Sequence, residues 1–216
     1  DQSPTLEFII TLVRSAAAPP ALTPRLFALS PGDRLYCGER AYGHYDVRNV
    51  QPDDDVIFAA TGTGEAPHNA MLTELLSRGH RGRIRLVTCV RYRRDLAYLE
   101  RHRRLESLYK NYRYLPLTTR EPENVDPSHP EYVGKRYLQE YYVSGDFEQD
   151  AGLQLDPDRV QVFLCGAPEM IGVPHRTHDP SRRYPKPLGM VEVLERRGFR
   201  VDMPHAPGNV HFEKYW

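Results

Sequence analysis

Two threonines and two glycines at the end of an apolar run are the first residues whose types and spacing suggest chemistry. They are Thr61, Gly62, Thr63 and Gly64, preceded by Val56–Ile57–Phe58–Ala59–Ala60 and followed by Glu65–Ala66–Pro67. The apolar run suits a buried strand, and Met71, Leu72, Leu75 and Leu76 then recur at helical spacing. A glycine turn between strand and helix lets bare backbone approach a phosphate. The N–H groups and the positive end of the helix dipole favour the anion. Pro67 fits a first helical turn, where its missing donor has no partner to lose. The turn matches neither common template, since no lysine follows Gly64 and the spacing is not G-x-G-x-x-G. A strand-to-helix turn can use glycine for its backbone alone, so a phosphate site needs cations from elsewhere.

Candidates for those cations are Arg91 and Arg120, with Cys165 and Gly166 ending another apolar run. The elements that must position them alternate in type. Strands are expected at 56–60, 83–90, 112–118 and 160–165, with a last short one near 199–202. Helices are expected at 66–78, 93–111, 135–142 and 188–197, and a long loop at 121–130. Leu96, Leu99, Leu105 and Leu108 mark the 93–111 helix. Strands alternating with helices imply a parallel sheet covered on both faces, with ligands at the carboxyl ends of its strands. Thr61–Gly64, Arg91, Arg120 and Cys165–Gly166 all fall at that end.

The first quarter reads differently. Strands are expected at 5–13, 34–38 and 41–47, with a short helix at 22–29 and a turn at Ser30–Asp33, which is an antiparallel pattern too short to close a barrel. The fold expected is α/β: a partial antiparallel barrel over 1–50 followed by a parallel βα domain over 55–216.

Bulk properties exclude several classes. The chain has 216 residues, with 29 basic and 29 acidic side chains, so no net charge steers it to nucleic acid or an anionic membrane. No apolar run is long enough to span a bilayer. Three scattered cysteines, Cys37, Cys89 and Cys165, argue against a disulfide framework or a zinc site and for a reducing, cytoplasmic setting. The nine histidines form no metal clamp. The basic, tyrosine-bearing run 91–104 invites a nucleic-acid reading, but its leucines mark a core-packed helix instead.

Several motifs occur in one order: ATGTG-x-AP at 59–67, R-Y-x-x-D-L-x-Y-L at 91–99, T-R-E at 119–121, C-G-x-P-x-M at 165–170 and Y-W at 215–216. L-T-P-R-L at 22–26, P-G-D at 31–33 and G-H-Y at 43–45 precede them. Together they resemble the bacterial ferredoxin/flavodoxin–NADP reductases over almost the whole chain. The resemblance implies an FAD-binding antiparallel barrel joined to an NADP-binding domain. It implies hydride transfer between NADPH and FAD, and single-electron exchange with ferredoxin or flavodoxin by a cytoplasmic monomer. It assigns Thr61, Gly62, Thr63 and Gly64 to the NADP pyrophosphate, Arg120 to the 2′-phosphate with Arg91 and Lys135 beside it, and Cys165 and Gly166 to the nicotinamide. Cys165 then has a positioning role, since no neighbouring base activates it. Leu22, Thr23 and Arg25 are implied to meet the FAD pyrophosphate, and Tyr215 and Trp216 to cover the flavin.

The sequence departs from the family in lacking its R-x-Y-S motif, which grips the flavin. The expectation is that an N-terminal part of the barrel precedes Asp1. Residues 173–187 read as an inserted solvated loop. Two other functions stay open at this point: an NADH-dependent reductase component of an oxygenase system, and a non-catalytic nucleotide-binding remnant.

Overall fold

The computed structural model describes residues 6–13, 22–38, 40, 43–175, 183–203 and 205–214. The chain forms two compact units, residues 1–44 and 45–216.

In the first unit the described residues contain one element, helix α1 (Leu22–Phe27). Its Thr23 hydroxyl oxygen accepts the Val13 N–H at 2.9 Å. The strands expected at 5–13 and 34–38 are not strands where described, nor is the described part of 41–47. β-branched and aromatic residues favour a strand only when a neighbouring chain completes the ladder. No described residue of this unit does so. Leu6, Phe8, Leu35 and Tyr36 are instead exposed.

The second unit holds a five-stranded sheet: β1 (Asp55–Thr61), β2 (Ile84–Val90), β3 (Tyr112–Thr118), β4 (Val160–Gly166) and β5 (Val210–Lys214). Its order is β3-β2-β1-β4-β5 and every pairing is parallel. The helices are α2 (Glu65–Ser77), α3 (Leu99–Leu108), α4 (Pro122–Val125), α5 (Leu138–Val143), α6 (Asp146–Ala151), α7 (Pro168–Ile171) and α8 (Met190–Glu195). Apolar side chains of α2 and α3 pack with Phe58, Leu86 and Phe163 on one face. Those of α5 to α8 pack with Ile57, Val87 and Val162 on the other. Burial on both faces explains why β1 and β2 are almost wholly apolar. The chain builds outward from β1 through β2 to β3, then returns to place β4 on β1's other side. This order puts the topological switch point, where ligands of such sheets bind, between the carboxyl ends of β1 and β4.

Three elements differ from expectation. The last strand is Val210–Lys214, not 199–202; only Val201 of that segment reaches the sheet side, through an isolated bridge to Val210. The helix expected at 93–111 is broken. Residues Arg93–Asp95 form a 3₁₀ turn closed by Asp95, whose carboxylate accepts the Tyr92 N–H at 3.1 Å. Leu96 then leaves helical geometry, at φ −78° and ψ 85°, and is buried, and the helix proper starts at Leu99. Leu108, expected in the core, is 62% exposed. The loop at 121–130 contains α4, opened by Pro122 at its first turn.

Candidate nucleotide site

The turn after β1 is a short 3₁₀ segment, Gly62–Gly64, running directly into α2. Gly62 has φ +54°, which a side chain would resist. Gly64 has an ordinary φ of −62° and is needed for another reason. A Cβ there would stand 2.5 Å from the carbonyl carbon of Cys165 and 2.9 Å from the Gly166 nitrogen. The turn therefore lies directly on the end of β4. Gly166, at φ +137°, returns the contact: its own Cβ would stand 2.7 Å from the Thr61 carbonyl oxygen and closer still to the Thr61 hydroxyl. That hydroxyl oxygen accepts the Ala167 N–H at 2.9 Å, which leaves the hydroxyl proton available to a ligand. Thr61, Gly62, Thr63, Gly64, Cys165 and Gly166 are thus assembled at the switch point. The first N–H groups of a helical start have no carbonyl behind them, so this bare surface is suited to an anion.

Arg91 and Arg120 meet at the ends of β2 and β3. The Arg91 carbonyl accepts the Arg120 N–H at 2.9 Å and the Thr119 N–H at 3.3 Å. Glu121 takes the Arg93 N–H at 2.5 Å, and Arg93 pairs with Glu123 at 3.0 Å. The 133–134 backbone donates to the Glu123 carbonyl, and Asn124 donates its amide to the Gly134 carbonyl at 3.2 Å. Lys135 is thereby carried to the same edge as Arg120. Arg91, Arg120 and Lys135 are exposed, and none makes a side-chain hydrogen bond or ion pair with a described residue. Neighbouring Arg93 and Arg136 are committed, the latter to Asp146 at 2.8 Å. Three exposed cations without a described side-chain partner near the ends of β2 and β3 have the charge to suit a multiply charged anion.

Cys165 is fully buried and Cys89 nearly so; burial pushes the Cys89 thiol up to about 11. The two lie on opposite faces of the sheet, since Cys89 packs in the α5–α8 core while Cys165 succeeds Leu164 of that core by one position. Leu22, Thr23 and Arg25 lie on α1, with Thr23 half-buried and Arg25 exposed. Tyr215 and Trp216 lie outside the described residues; β5 stops at Lys214, opposite Gly166. The described residues contain no metal-ligand cluster. No described helix is long and apolar enough to cross a membrane.

The sequence reading missed Glu65. It is 1% exposed at the start of α2, directly after the glycine turn. Its Oε1 accepts from the Thr88 hydroxyl at 3.0 Å and the Tyr114 hydroxyl at 2.7 Å. His102 Nε2 stands 3.2 Å from the same oxygen, outside hydrogen-bond geometry, while its Nδ1 is 2.9 Å from the Tyr112 hydroxyl. Burial and the Glu65 charge hold the Tyr114 hydroxyl well above its ordinary range, so it remains a donor. The available signal was a charged residue inside a motif otherwise composed of small and apolar residues.

Residues 58–175, over half the chain, match the oxidoreductase NAD-binding domain family. The chain belongs to that family. It is 23% identical over 98% of its length to a flavodoxin/ferredoxin–NADP reductase of Buchnera aphidicola, covering 75% of that protein. Against the reductase of the same description from Escherichia coli it is 28% identical over 78% of its length, covering 64%. A ferredoxin–NADP+ reductase from Neisseria gonorrhoeae, solved with FAD and NADP bound, shares the fold. The TM-score is 0.62 at 20% identity, covering 82% of this chain and 62% of that one. The chain therefore spans 62% to 75% of the length of these proteins.

Proposed function

We propose that this chain is the nicotinamide side of an FAD-dependent ferredoxin or flavodoxin–NADP+ reductase, with NADPH as its hydride donor or product. The observation that carries the proposal is the pairing of a glycine-rich turn at the β1/β4 switch point with Arg91, Arg120 and Lys135, which have no described side-chain partner, near the β2/β3 edge. A nucleotide with a pyrophosphate and a 2′-phosphate needs both parts. Thr61–Gly64 would hold the pyrophosphate through backbone N–H groups and the two hydroxyls. Arg120 would take the 2′-phosphate with its planar fork of donors, flanked by Arg91 and Lys135.

Cys165 and Gly166, at the end of β4 beside that turn, would seat the nicotinamide. A small buried thiol there leaves room for a close ring approach. FAD, when bound, supplies two-electron acceptance and one-electron release. Thr23 and Arg25 are assigned to its pyrophosphate and Tyr215 and Trp216 to its ring, and residues 1–50 to its domain. These assignments rest on the motif order and on relatives longer than this chain. Fit to FAD is supported at two described positions: the Thr23 hydroxyl keeps its proton after accepting Val13 N–H, and Arg25 makes no described ion pair. A monomer in the cytoplasm, exchanging electrons with an acidic carrier protein, completes the reading; three cysteines without disulfides favour the compartment.

Titration of the chain with NADP+ and NAD+ by calorimetry tests the nucleotide assignment. Arg120→Ala should weaken NADP+ by about 10- to 100-fold, the worth of a charge-assisted hydrogen bond, and leave NAD+ nearly unchanged. Equal losses for both nucleotides would remove Arg120 from the 2′-phosphate. Tighter binding of NAD+ than NADP+ by the unaltered chain would favour an NADH-dependent oxygenase reductase instead.

A further inference from the structure

The nucleotide grip proposed above has two parts, the turn after β1 and the cations beyond β2 and β3. Gly64 seats the turn against β4 by backbone contact. On the other side, two strands away, is β3, which leads to Arg120. Between these lies Glu65. Its N–H closes the turn onto the Gly62 and Thr63 carbonyls. Its side chain runs inward and is held by Thr88 of β2 and Tyr114 of β3, with His102 of α3 against the same oxygen.

A carboxylate taken out of water is destabilising unless donors satisfy it, and an apolar side chain fills a core without that penalty. Retaining one here is reasonable only where direction matters. Hydroxyl donors fix the position of Oε1 in a way that dispersion contacts do not. The positive end of α2 lowers the cost of the charge. Tyr114 is itself oriented, its ring stacked on His102 with centroids 4.2 Å apart. His102 is in turn held by Tyr112, also of β3. The carboxylate is thus the joint of a polar truss linking the turn to the strand that bears the proposed 2′-phosphate arginine.

We propose that Glu65 is a positioning residue of the nucleotide grip, whose buried carboxylate fixes the pyrophosphate turn relative to β3. It touches no reacting atom. The proposal rests on the nucleotide reading of the turn, and it makes a distinct demand. The pyrophosphate is common to NADP+ and NAD+, so losing Glu65 must weaken NAD+ as well as NADP+, whereas losing Arg120 weakens NADP+ alone.

The test uses the full chain, with calorimetric titration of NADP+ and NAD+ and a thermal melt for each variant. Glu65→Leu should raise both dissociation constants by about tenfold. Glu65→Gln, which keeps an acceptor for Tyr114 and Thr88, should bring both back to within about threefold of the unaltered chain. If Glu65→Leu fails to fold, Tyr114→Phe removes one donor and keeps the stacked ring; both constants should then rise together by about fivefold. A folded Glu65→Leu or Tyr114→Phe with lowered melting temperature and unchanged dissociation constants would reduce Glu65 to a stability element and overturn the proposal. So would a loss confined to NADP+. If the unaltered chain binds neither nucleotide, the reading beneath falls and this inference with it. That outcome is recognised before any variant is made.

Discussion

Replacing Gly64 with alanine separates the two uses that the turn makes of glycine. Its φ of −62° suits alanine, and helix propensity alone would favour the change by about 0.5–1 kcal/mol. Sterics oppose it. The new Cβ would lie 2.5 Å from the Cys165 carbonyl carbon, where ordinary contact begins near 3.4 Å. The turn and the end of β4 must therefore separate by about 1 Å. Both are backbone, so no side-chain rotation relieves the clash. Overpacking of this kind costs about 1–3 kcal/mol, which exceeds the propensity gain and lowers Tm by several degrees in a chain of this size. A displacement of about 1 Å in a positioning element costs up to about 100-fold in what it positions. Calorimetric Kd values for NADP+ and NAD+ should rise together, far beyond what the stability loss explains. Gly79→Ala is the control: it meets no neighbour but sits at φ +70°, so it should cost about 1 kcal/mol of stability and leave both Kd values alone. A Gly64→Ala chain with unaltered Tm and unaltered Kd would refute the close-approach argument.

Two further outcomes follow from burial. His68 is completely buried, accepts or donates one hydrogen bond to the Tyr45 hydroxyl at 2.6 Å, and is held neutral, with burial lowering it to about 3. Because its folded value lies below the ordinary 6.5, the stabilisation is complete above about pH 6.5. It is lost as pH falls towards 3, since only the unfolded chain takes up the proton. His68 should contribute about 1.4 kcal/mol per pH unit to the fall in stability over that range, so chemical denaturation of His68→Gln should show a slope flatter by about one proton; an unchanged slope would place His68 in contact with water. The three thiols should differ as sharply. Cys37 is exposed, while Cys89 and Cys165 are buried, so a thiol reagent at pH 8 should label one cysteine quickly and the others only on unfolding. Fast labelling of two or three would contradict the packing around β2 and β4.

The inner strands were legible in the sequence because burial on both faces leaves little choice of residue. The expected runs at 56–60, 83–90 and 160–165 match the inner strands β1, β2 and β4 within a residue, and the run at 112–118 matches β3 at one edge. The strand at the other edge, β5, was not legible. Val210–Lys214 reads V-H-F-E-K, half exposed and partly charged, while Phe199 and Val201 nearby carry the stronger β pattern. β5 has one neighbour and five residues, of which only Val210 is buried, so its composition records its pairing weakly; β3, also at an edge, buries Tyr112, Tyr114 and Leu115. The break in 93–111 was hidden for a local reason: Asp95 reads as a surface residue of a helix until its carboxylate is seen closing the turn at Tyr92.

At the site, residue types alone pointed to an anion-binding turn, and the motif order pointed to Arg91, Arg120 and Lys135. Arg91 and Arg120 lie just past the ends of β2 and β3, and in a parallel sheet the strand ends share an edge whatever the details. Lys135 lies between α4 and α5 and reaches that edge only through the contacts of Glu123 and Asn124 with residues 133–134. What only the tertiary structure decided was the use of each group. Gly62 and Gly64 look alike in sequence, yet one relieves a positive φ and the other a backbone contact with β4. Lys135 and Arg136 are adjacent, yet only Arg136 is spent on a carboxylate. Glu65 depends on hydroxyls 23 and 49 residues further along the chain. Periodicity reports how a segment meets its own neighbours and water. Partners brought together by the strand order β3-β2-β1-β4-β5 leave no periodic trace, so they become visible only once the sheet is assembled.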